Sequence, residues 1–84
     1  MTSRPPASLV VKPIRVSAHA ALRLSERQID PAEVARLIRD PATSLPGRNR
    51  TRHIIGRVRG RGMHVVYYET DLEIQVLTIY WVTP

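Results

Sequence analysis

The sequence predicts an α+β fold in which two helices pack on one face of a three- to four-stranded antiparallel meander. Three observations carry that prediction. Helix start and stop signals are confined to the stretch before residue 41, the hydrophobic period changes from that of a helix to two at Arg52, and a glycine pair at Gly60 and Gly62 marks a hairpin. With 84 residues and 43% hydrophobic content there is one small core and no room for a second. The expected organisation is a flexible lead over residues 1–13 and a single α+β domain over 14–84.

The lead holds Pro5, Pro6 and Pro13 and shows no apolar periodicity, which suits an extended segment. Ile14 and Val16 are open to pairing as a short strand. Ser17 stands where an N-cap belongs, and Ala18 to Gln28 contains helix formers without proline or glycine, so a first helix follows. Its apolar sector is expected on Ala18, Leu22 and Ile29. The second helix starts at Asp30 as N-cap, with Pro31 at the first helical position and Glu33 completing a capping box. Val34, Leu37 and Ile38 supply its buried stripe, and Asp40-Pro41 ends it. The linker from Pro41 to Arg50 has room for a short edge strand around Ser44 and Leu45.

Alternation then predicts strands over Arg52–Arg59, Met63–Thr70 and Glu73–Val82, the first two joined by a tight turn through Gly60. Unbroken alternation would gather Ile54, Val58, Met63, Val65, Tyr67, Ile74, Val76, Thr78, Tyr80 and Val82 under the helices. The opposite face would carry His53, Ile55, Arg57, Arg59, His64, Val66, Tyr68, Gln75, Leu77, Ile79 and Trp81. Basic and aromatic groups mixed on an open sheet have the composition of an RNA-facing surface.

Charge points the same way. Thirteen basic residues, all but one of them arginine, stand against seven acids. Residues 48–61 carry six arginines and no acid, whereas residues 62–84 carry three acids and no base. Arginine offers a planar donor fork suited to phosphate, so a polyanionic partner is expected, nucleic acid ahead of a membrane. Arg48, Arg50 and Arg52 alternate, as do Arg57, Arg59 and Arg61; in extended chain each set forms a comb with teeth about 6.5–7 Å apart. The alternative for such a run is an edge strand protected by charge.

The absence of cysteine excludes disulfides, thiolate metal sites and cysteine nucleophiles, and makes the cytoplasm the expected compartment. No apolar run approaches the roughly 18 residues of a membrane span. Glycine phosphate loops, dinucleotide fingerprints, zinc spacings and nucleophile elbows are all missing, so no cofactor and no metal is expected.

On the first helix, His19, Arg23 and Arg27 recur every fourth residue and share one ridge, with the histidine expected at the core boundary and the arginines further out. A neutral imidazole beside guanidinium groups suits proton transfer at a phosphodiester. The same spacing also describes an ordinary solvated helix face. Thr78 and Tyr80 add hydroxyls to the expected helix-facing side, where they could join His19 and Arg23 around a phosphate; equally, Thr78 is a good strand residue and Tyr80 an aromatic with a wet tip.

The run Ser17-Ala18-His19-Ala20-Ala21-Leu22-Arg23-Leu24-Ser25-Glu26-Arg27-Gln28-Ile29, with Asp30-Pro31-Ala32-Glu33-Val34 and the later Val76-Leu77-Thr78-Ile79-Tyr80, resembles a bacterial domain-of-unknown-function family. That family opens on His-Ala-x-x-Arg-Met-x-x-Arg-Gly-Ile and is compared with RelE/ParE toxins and the barnase, EndoU, colicin and RelE ribonuclease group. The resemblance spans about residues 14–82. Leu24 replaces its methionine and Gln28 its glycine. It implies a RelE/ParE-like fold and a toxin-like, metal-independent endoribonuclease in which the 2′-hydroxyl attacks the adjacent phosphate. His19 would then be general base or acid, Arg23 and Arg27 phosphate clamps, and Thr78 with Tyr80 orienting hydroxyls. RNA, free or ribosome-bound, and an acidic antitoxin covering the arginines would be the partners. A non-catalytic nucleic-acid-binding or regulatory module on the same basic face is the alternative.

Overall fold

A computed structural model describes residues 12–82, which form two helices and one five-stranded sheet. In chain order these are β1 (Ile14–Val16), α1 (Ala18–Arg27), α2 (Pro31–Arg39), β2 (Thr43–Pro46), β3 (Thr51–Val58), β4 (Arg61–Glu69) and β5 (Ile74–Trp81). The strand order is β1-β5-β4-β3-β2, with β1 parallel to β5 and every other pair antiparallel. The expected α+β layering holds. The sheet, however, is mixed rather than antiparallel and has more strands than the meander alone. The short segments at Ile14–Val16 and Thr43–Pro46 both pair, and β1 lies beside the last strand because α1 must start over it: the Ser17 N–H donates to the Val76 carbonyl and the Ser17 hydroxyl to that of Leu77. The chain is tied to the sheet before residue 14, since Lys12 Nζ meets Glu69 Oε2 at 2.6 Å and the Pro13 carbonyl accepts from Ile74. The rest of the expected lead, residues 1–11, lies outside the described residues.

Local signals explain most boundaries. Ser17 caps α1 by accepting from the Ala20 N–H. The helix ends at Gln28, whose left-handed backbone (φ 54°, ψ 44°) lets its N–H donate to the Leu24 and Ser25 carbonyls. A left-handed C-terminal residue is the place where glycine would carry no Cβ penalty, and here glutamine adopts it; the boundary does not depend on Asp30-Pro31 alone. Asp30 caps α2 through the Ala32 N–H. The expected capping box does not close, because the Glu33 carboxylate is engaged instead by Arg59, Nε to Oε1 at 3.3 Å. Arg59 and Gly60 form the two-residue β3–β4 turn with φ of 53° and 79°, the paired positive values of a hairpin that follows the twist of its strands.

The core gathers Ala20, Leu24 and Ile29 with Val34 and Leu37 from the helical layer against Ile54, Val58, Met63, Val65, Tyr67, Val76 and Ile79 from the sheet. The buried stripe of α1 is thus Ala20 and Leu24; of the expected sector Ile29 is buried, whereas Ala18 is exposed and Leu22 is 55% exposed. Gly56 of β3 also faces the helices, and its missing Cβ is the space filled by the Leu37 side chain of α2.

One irregularity decides which residues reach which face. Between Val66 and Tyr67 the register of β5 slips, so that Val66 pairs with Thr78 but Tyr67 with Val76. Leu77 is the extra residue of this bulge, and beyond it the alternation inverts. Ile79 and Trp81 turn toward the helices, and Thr78, Tyr80 and Val82 turn to the open face, the reverse of the sequence expectation.

Candidate nucleic-acid interface

The expected cluster of His19, Arg23, Arg27, Thr78 and Tyr80 does not assemble. Its helical members lie on α1, which covers one face of the sheet, and the bulge puts Thr78 and Tyr80 on the other. The order within the ridge is inverted too. Because Ala20 and Leu24 face the core, His19 is exposed, Arg23 is half-buried and pairs with Glu26 at 2.9 Å, and Arg27 turns inward, with a buried Nη1 that has no partner within the described residues.

The arginine combs are also broken by the backbone. Asn49 and Arg50 have φ of 54° and 64°, so Arg48 and Arg50 sit in the β2–β3 turn rather than along an extended strand. Arg52 faces the helical side and donates to Ser44 Oγ. In the second set, Arg57 faces the open side and donates to the Gly60 carbonyl, Arg59 donates to the Gln28 carbonyl at 2.7 Å as well as to Glu33, and Arg61 lies over the Trp81 ring, 4.1 Å from its centroid, on the helical side. Arginine on an aromatic face gains from the ring quadrupole, and both groups are thereby removed from the open face.

What the open face does bring together is a histidine pair. Row by row across β3, β4 and β5 it presents Thr51, Tyr68 and Gln75; His53, Val66 and Thr78; Ile55, His64 and Tyr80; then Arg57 and Gly62. His53 and His64 are diagonal neighbours, a separation that aromatic side chains can bridge. His53 Nδ1 lies 3.0 Å from His64 Nε2, so one imidazole donates to the other. The Tyr80 ring stands beside His64 with centroids 4.6 Å apart. Gly47 makes room at the other end, since a Cβ there would lie 2.8 Å from His53 Nε2.

This pairing was within reach of the sequence. A two-residue turn at Arg59-Gly60 pairs Ile54 with Val65, which sets His53 and His64 on one face, one rung apart. Alternation had placed both on that face, but as separate residues of a stacking surface.

Burial, and after it the charge on His53, lowers the pKa of His64 from its usual 6.5. A neutral imidazole is therefore the resting form at neutral pH, able to accept a proton. The folded chain binds fewer protons than the unfolded chain in this range, so stability is full above pH 6.5 and declines as pH falls below it. The expected result is a melting temperature lower at pH 5.5 than at 7.5, with a smaller difference in His64→Gln; a wild-type midpoint unchanged across this window would contradict it.

Among the described residues no group of three or more His, Cys, Asp or Glu side chains is placed to hold a metal ion, and no helix is long and apolar enough to cross a membrane. Compared with protein-family models, with curated proteins and with solved structures, the chain finds no match.

Proposed function

We propose that the protein binds single-stranded RNA on the open face of its sheet and cleaves it without a metal, using the His53–His64 pair in place of His19. The observation that carries this reading is the 3.0 Å contact between the two imidazoles on a face that also bears Tyr68, Tyr80 and Arg57. Unpaired bases stack on tyrosines, and a guanidinium holds the phosphate between them. His64 takes the 2′-hydroxyl proton, with the resulting charge shared across the pair. The 2′-oxygen bonds to phosphorus while the bond to the 5′-oxygen breaks. Arg57 offsets the negative charge that develops, and the departing 5′-oxygen takes a proton from water. Thr78 and Tyr80 keep the orienting role that the family resemblance implies, now on the open face. Arg48 and Arg50 extend the basic surface at the β2–β3 turn. A toxin-like activity with an acidic antitoxin over these arginines is the biological setting the resemblance supports.

The test is a mixed-sequence single-stranded RNA incubated with purified protein in excess chelator. The expected result is cleavage that leaves 2′,3′-cyclic phosphate ends, with affinity that falls as salt rises. Salt-dependent binding with no cleavage would assign the non-catalytic regulatory module, and no salt-dependent binding would remove RNA as the partner.

A further inference from the structure

We infer that the cleft between the last turn of α2 and the free end of β3 is a nucleotide subsite, which takes one ribonucleotide with an amino-bearing base and continues the path of the RNA past Arg57. Its occupant rests on the RNA reading, and its place rests on the fold. β2 follows β3 only as far as Ile55, where Thr43 stands opposite and the Ala42 N–H donates to the Ile55 carbonyl. From Gly56 to Val58 β3 therefore has no strand on that side among the described residues, and α2 borders the gap. The space is about 560 Å³, of the size that holds a small organic ligand. The Arg57 main chain faces it. Val58 and Arg61 close the two-residue turn as a bonded pair, so by alternation the Arg57 N–H and C=O point away from β4 and toward the cleft.

The lining is mixed, and the mixture selects the ligand. Leu37, Pro41 and Val58 give a base an apolar wall. Arg36, exposed and in no ion pair among the described residues, brings a guanidinium for the phosphate. Arg57 and Arg59 are otherwise engaged, by the Gly60 carbonyl and by Glu33 with the Gln28 carbonyl. Asp40, one helical turn from Arg36, adds an exposed carboxylate at the negative end of α2. A purely anionic ligand such as an acidic peptide would be repelled there. A nucleotide satisfies both ends, because a carboxylate accepts from the exocyclic amino group of a base. Uracil has no such group, so cytidylate, adenylate and guanylate are expected to bind better than uridylate.

The experiment titrates the full chain, nitrogen-labelled, with the 5′-monophosphates of adenosine, cytidine, guanosine and uridine, and with inorganic phosphate as control. Backbone amide NMR is expected to show saturable binding with the largest shifts at Gly56, Arg57 and Val58 and along α2 from Glu33 to Asp40, weakest for uridylate. R36A should weaken binding by about tenfold, and D40N should remove the disadvantage of uridylate. Absence of saturable binding, shifts centred on Tyr68 and Tyr80, equal affinity for every nucleotide, or the same shifts from phosphate alone would overturn it. These readings come from unmutated protein and decide the matter even if a variant fails to fold. Mononucleotides hold no internucleotide bond, so the titration is independent of turnover. Cleft binding in a protein that leaves RNA intact would keep the subsite and remove the ribonuclease; cleavage without cleft shifts would remove the subsite alone.

Discussion

Ile54→Ala is expected to destabilise the domain by about 2–5 kcal/mol. Ile54 is fully buried on an interior strand, flanked by Ser44 on β2 and Val65 on β4 and covered by the helical layer. Truncation removes the transfer free energy of three carbons and leaves a cavity, which paired strands on both sides cannot close. Native stability for a chain of this length is of the order of 4–12 kcal/mol, so the loss is a large fraction of the whole. The neighbouring Ile55 provides the control. It points to the open face and is only half-buried, so Ile55→Ala should cost about 1 kcal/mol or less. Urea denaturation of both variants checks the pair. Equal losses would mean that both faces of β3 are covered, and would remove the open surface on which the functional reading depends.

The parts of the fold that sequence could reach are those specified by neighbours along the chain. Ser17, Asp30-Pro31 and Arg59-Gly60 act through bonds or dihedrals within a few residues, and alternation from Arg52 to Tyr68 correctly separates Ile54, Met63 and Val65 from His53 and His64. Three features depend on partners far away. The β1–β5 pairing joins Val16 to Val76, and nothing near either residue announces a parallel neighbour. The bulge at Leu77 carries no glycine or proline, yet it moves Thr78 and Tyr80 across the sheet and separates them from His19. The buried stripe of α1 was ambiguous because Ala18, Ala20, Ala21, Leu22 and Leu24 surround the helix with apolar groups. Docking against β5 selects Ala20 and Leu24, and that choice turns Arg27 inward and His19 outward. The candidate site therefore moved for a definite reason: one extra residue in a strand, and one rotation of a short helix.

His64→Ala is expected to lower RNA cleavage by about a hundredfold to ten-thousandfold while leaving RNA affinity near that of the wild type. On the proposed reading, an acid–base group contributes chiefly in the transition state, whereas affinity would come from arginines and stacking tyrosines that the substitution leaves in place. His53→Ala should reduce turnover as well, by removing the imidazole 3.0 Å away that shares the charge formed on His64. Because the two act as one unit, the double variant should be little worse than His64→Ala alone. His19→Ala, on the exposed rim of α1 and across the sheet from Tyr80, should turn over nearly as the parent does. The comparison is made in chelator, as in the cleavage test, and on variants whose melting curves match the parent. Turnover lost in His19→Ala but kept in both pair variants would return the chemistry to α1. In that case Arg23 would have to leave Glu26, and the inward-turned Arg27 would have to move outward, before either could hold a phosphate.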